Sequence, residues 1–190
     1  MNIGRGALAV CGVAGLMTLS AAGIAKSQQV PATGPQAQAV DGPLSRTVQQ
    51  ATATFRDVAS AESAGYELSS GCVSGPEEGA MGVHYGNPAL IEDGELDAAK
   101  PEVLVFEPTR NGRLRLAAVE YIVLAEQWDA NNDHPPVLGG QHFHFVSAPN
   151  RSGLPAYYEL HVWAWTRNPN GTFADWNPQV RCDSYIPPQP

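Results

Sequence analysis

Three of the five histidines of this 190-residue chain stand in one stretch, residues 139–165, GGQHFHFVSAPNRSGLPAYYELHVWAW. They are His142, His144 and His161, and Glu159 lies two residues before the last of them. Imidazole and carboxylate together suit zinc, copper or iron, so a transition-metal site is the first chemistry these residue types suggest. Strand geometry sharpens the expectation, because residues two apart share a face. His142 and His144 are predicted to project together, with Phe143 and Phe145 behind them. Tyr157, Glu159, His161, Trp163 and Trp165 are predicted to share one face, and Tyr158, Leu160, Val162 and Ala164 the other.

Two more candidates come from earlier in the chain. Residues 102–106 and 113–124 read as two strands joined through Asn111-Gly112, a strong local hairpin signal. On the return strand Glu120 shares a row with Leu114, Leu116, Ala118, Ile122 and Leu124. A carboxylate there is costly unless it is paired, hydrogen-bonded or bound to a cation; a helix over residues 116–128 with Glu120 exposed is the alternative. His84 lies between Gly82 and Gly86, which let other backbone approach closely.

The expected metal ligands are His84, His144 and His161 with Glu120 and Glu159. Tyr85, His142, Trp163 and Trp165 are the candidates for contacting a small ligand, and His142 alternatively faces solvent at a strand end. Two other readings use the same residues. The histidines could form a buried hydrogen-bond network without metal, or Trp128, Trp163, Trp165 and Trp176 could make a non-catalytic aromatic surface for a glycan or another flat ligand. No His-Glu-x-x-His or Gly-x-Ser-x-Gly motif occurs, so no reaction is identified. Asp129, Asn131 and Asp133 match the first three positions of a calcium loop, but His134 and Gly140 replace its glycine and bidentate glutamate.

The elements that must hold these residues suggest an α+β fold: an N-terminal helix packed on a mainly antiparallel, twisted sheet or partial barrel. The helix is expected to start at Thr47, where Thr47 and Gln50 form a capping box. It buries Val48, Ala51, Phe55 and Val58, and stops at Gly65. Residues 1–25, with Arg5 before an apolar run over residues 7–19, read as a signal peptide too short to span a membrane. Residues 26–44 read as a flexible leader and residues 45–190 as one globular domain. Export fits the cysteines, since Cys72 and Cys182 would remain as an even pair for a disulfide; two buried free thiols are the alternative. The net charge of −8 opposes binding to nucleic acid or an anionic membrane.

The phrases TATFRDVASAESAGY, GAMGVHYGNPAL, PEVLVFEP, RLRLAAVEYIVLA, YELHVWAW and NPNGTFADWNPQVRC, spread over residues 47–182, resemble a family of secreted bacterial proteins. That resemblance implies export and brings no catalytic residue with it. Gly139, His142, His144 and His161 also resemble part of the metal-binding pattern of cupins. The chain departs from that pattern in lacking a glutamate just after His144 and a Pro-x-Gly before His161.

Overall fold

The structure is a computed structural model, and it describes residues 42–188. The fold is α+β. Six strands form one antiparallel sheet in the order β1-β2-β3-β4-β8-β7. These are β1 Glu67–Gly75, β2 Gly79–Gly86, β3 Val103–Pro108, β4 Leu114–Leu124, β7 His144–Val146 and β8 Tyr157–Val162. A separate ribbon pairs β5 Val137–Leu138 with β6 Gln141–His142. Residues of β1 and β7, the two edge strands, line one common cavity, as a curled sheet requires. The signal-peptide expectation lies outside the described residues, as does most of the leader.

The helical segment differs from its expectation. It is two short helices, α1 Pro43–Ala51 and α2 Val58–Ser63. Pro43 starts α1, because its fixed φ suits a first turn and its missing N–H is not needed there. Thr47 is therefore inside the helix, and its hydroxyl donates to the Pro43 carbonyl instead of capping. Leu44, placed in the leader by sequence, is buried with Val48 in the core. Asp57 breaks the run by capping α2, its carboxylate accepting from the Ser60 amide. Gly65, at φ +90°, follows α2 as the expected left-handed stop.

The two faces of the sheet do different work. One face meets α1 and α2 through Val83, Tyr85, Leu104, Phe106, Val119, Tyr121, Leu160 and Val162. The opposite face carries Ala80, Val103, Val105, Ala118, Ile122, Tyr157 and Trp163. His84, Glu120, Glu159 and His161 alternate with residues of the first face, so strand periodicity sends them to the second.

The predicted hairpin is present as β3 and β4, joined through a turn in which Gly112 adopts φ +75°. Glu120 lies on a strand, and the helical alternative for residues 116–128 reduces to a short helix, Ala125–Asp129. One detail departs from strict alternation. Phe106 pairs with Leu116 and Val105 with Ala118, so Ala117 is an extra residue, a β-bulge. It puts Leu116 in the helix-side core with Val119 and Tyr121, whereas Ala118 and Ile122 stay on the Glu120 side. After β3, β2 is held close: Gly82 has φ +116°, and a Cβ there would meet the Phe106 carbonyl oxygen at 2.6 Å. Gly86 is not so constrained, since a Cβ there would meet only ordinary contacts.

Candidate functional site

The polar residues of the second face form two adjoining groups. His84, Glu120 and His161 each offer a ligand atom, and these atoms lie within 4.8 Å of one another. His144, Glu159 and Asp175 do the same. Sheet register explains the first group. Glu120 on β4 pairs directly with His161 on β8, and His84 reaches them across β3, where Val103 and Val105 lie between. The second group uses the next pairing, His144 on β7 with Glu159 on β8.

His161 is completely buried, and neither ring nitrogen has a hydrogen-bond partner. Its Nδ1 lies 3.6 Å from Asp175 Oδ1, and its ring meets the His84 ring edge-on with centroids 6.1 Å apart. His84 is oriented from behind, with Ser70 Oγ 3.1 Å from Nδ1, while its Nε2 lies 3.8 Å from Glu120 Oε2. His144 Nε2 is 2.6 Å from Glu159 Oε1 and 3.5 Å from Asp175 Oδ2.

Electrostatics follow from burial. Burial pushes the Glu120 carboxyl well above the usual carboxylate range, and the adjacent Glu159 raises it further. Burial opposes ionisation of Glu159 too, but hydrogen bonds from His144 and Glu120 outweigh it and hold that carboxyl low. The pair therefore divides the roles, Glu120 keeping its proton and Glu159 giving it up. His84 is lowered to about 3, by burial first and then by neighbouring His161 and Arg151. Burial lowers His161 as well. Both imidazoles are thus neutral at physiological pH, the form that ligates metals. His144 is raised by its hydrogen bond to Glu159 and resembles an ion-pair partner.

Beside these groups the second face opens into a cavity of about 520 Å³, with His84, Glu120, Glu159 and Asp175 in its wall. Such a volume can accept a small organic molecule.

The other sequence candidates lie elsewhere. Tyr85 points to the helix-side core, where its ring packs on Phe106 at 5.4 Å. His142 belongs to the β5–β6 ribbon and is exposed. It does not share a site with His144, because the strand breaks at Phe143, whose side chain enters the helix-side core. Trp163 is on the expected face but fully buried, donating from Nε1 to the Ala174 carbonyl. Trp165 is not on that face. β8 ends at Val162, and the Trp165 indole turns to the helix side, donating to Thr52 Oγ1 with Arg56 5.1 Å over its ring. The four tryptophans therefore make no common platform, and Trp128 is occupied by the His134 carbonyl.

Sequence reasoning missed Asp175, Ser70 and Arg151, and gave Trp176 a different role. Asp175 and Trp176 come from the irregular segment after β8, where no periodicity signals a facing. Ser70 was legible only through its register opposite His84.

Compared with protein-family models, curated proteins and solved structures, the chain matches none of them.

Proposed function

We propose that this is an extracytoplasmic metal-binding protein whose ion is held by His84, Glu120 and His161. The observation that carries the reading is His161, fully buried with no hydrogen bond to either ring nitrogen and beside two other potential ligands. An unpartnered buried polar group is expensive, and a cation would satisfy all three side chains at once. A ligand bond from one nitrogen of His161, with the other donating to Asp175, would use both; Ser70 is placed to hold His84 in the same way. Mixed nitrogen and oxygen donors suit zinc, copper or iron. Glu159 and His144 would then serve as the charged shell around the ligands. Export is supported by the Cys72–Cys182 disulfide, with S–S 2.03 Å, and by the signal-like pattern of residues 1–25.

Metal analysis of protein purified without a histidine tag tests this. About one equivalent of metal should co-purify or be taken up, and His161→Ala should lose it. A second reading is favoured by the His144–Glu159 hydrogen bond: a purely structural network, with a buried water completing His161. In that case no transition metal binds, and His161→Ala lowers only stability.

A further inference from the structure

The cavity beside the histidines contains one basic side chain, Arg151, on the connection between β7 and β8. Its guanidinium lies over the Trp176 ring, 5.3 Å from the centroid, and reaches Met81 Sδ at 3.6 Å. Those contacts orient it without neutralising it. Among the described residues, no carboxylate lies within ion-pair reach of Arg151. What sets it apart is its place, in the same cavity wall as Glu120, Glu159 and Asp175.

The remaining wall is mixed. Val103, Ile122 and Leu154 give it an apolar side, and the hydroxyls of Ser70 and Ser152 give it a polar one. A planar, unpaired guanidinium stacked on an indole is a ready partner for a carboxylate, which it can hold through two parallel hydrogen bonds. The acidic groups at the other end would repel an anion unless a cation covered them.

We propose that the cavity binds a small organic carboxylate. Its anionic end pairs with Arg151, its apolar body lies along Trp176 and the valine and isoleucine side chains, and its far end faces the His84–Glu120–His161 group. The proposal rests on the metal reading for that far end, because a bound ion offsets the charge of Glu159 and of Glu120 once it has given up its proton.

Isothermal titration calorimetry on the full chain, with and without added zinc, tests it using benzoate and its neutral counterpart benzamide. Benzoate should bind saturably to the zinc-loaded chain and at least about tenfold more tightly than benzamide. Arg151→Gln should bring the two probes to within about threefold, and Arg151→Lys should keep part of the preference. No saturable benzoate binding, or equal binding of benzamide to the wild-type chain, overturns the proposal even if the Gln variant fails to fold. A preference that Arg151→Gln leaves intact overturns it as well. The two readings fail separately. A chain that holds zinc without discriminating the probes ends only the carboxylate proposal. One that takes up no metal but discriminates through Arg151 ends the metal reading and the far-end contact with it, and leaves the pairing with Arg151 standing.

Discussion

Glu120 and Glu159 face each other inside the protein, and two carboxylates so placed cannot both be ionised without a positive charge nearby. His144 supplies it for Glu159, at 2.6 Å. For Glu120 the choices are a retained proton or a cation, since His84 is held neutral by burial. This makes Glu120→Gln an informative substitution. Glutamine has nearly the shape of the protonated acid, so stability without metal should change by no more than about 1 kcal/mol. Metal affinity, measured by competition with a chromogenic chelator, should fall by more than about 100-fold, because a ligand is lost and not merely its support. An unchanged affinity would remove Glu120 from the ligand set. The same logic gives a pH dependence. Metal binding must expel the proton from Glu120, so the bound state holds fewer protons, and affinity should weaken as pH falls.

At the scale of elements, Glu102 shows how a strand end is completed. β3 starts at Val103, which leaves the Ile122 amide of β4 without a strand partner on that side; Glu102 Oε2 accepts from it at 3.0 Å. Burial raises this carboxyl from 4.5 to about 8. Between those two values the folded chain keeps a proton that the unfolded chain has released. Stability from this group is therefore greatest below about pH 4.5 and falls as pH rises toward 8, with a slope of at most about 1.4 kcal/mol per pH unit. Glu102→Gln keeps the acceptor and should flatten that part of the curve in urea unfolding at a series of pH values; an unchanged slope would assign it to other groups. Sequence periodicity made β4 and β8 legible together with the facing of Glu120, Glu159 and His161, because alternation holds wherever a strand is regular. It failed where tertiary contacts interrupt the strand. The bulge at Ala117 is fixed by Trp165 and Thr166, whose amides both donate to the Ala117 carbonyl. That same turn carries Trp165 to the other face. Phe143 likewise leaves the strand as its amide donates to Pro136, which separates His142 from His144. Trp165 and Thr166 are far from Ala117 in sequence, and neither those contacts nor the Phe143–Pro136 bond leaves a mark in the alternation of side chains.

For the molecule as a whole, the site depends on a C-terminal segment that has no strand of its own. Residues 163–188 bring Asp175 against His161 and His144, and Trp176 under Arg151. The segment is tied down by the Ala80–Asn177 bridge and by the Cys72–Cys182 disulfide, which joins it to edge strand β1. The two cysteines are 110 positions apart, and closing so long a loop removes much unfolded-state entropy, about 4.7 kcal/mol in the chain-entropy model as an upper figure. Replacing both cysteines by serine avoids a leftover thiol and should lower the unfolding free energy by about 2–5 kcal/mol, read from urea titrations. The loss should not stay at the edge of the sheet. If Asp175 orients His161 only while this segment is anchored, the double variant should also bind metal about 10–100-fold more weakly under conditions where it remains folded, the range expected when a ligand loses its orienting partner. Asp175→Asn in the disulfide-intact chain supplies the comparison: it should weaken metal binding similarly while leaving the urea midpoint close to that of the parent. A double variant that loses stability but keeps full metal affinity would show that the bridge at Asn177 alone suffices to position Asp175.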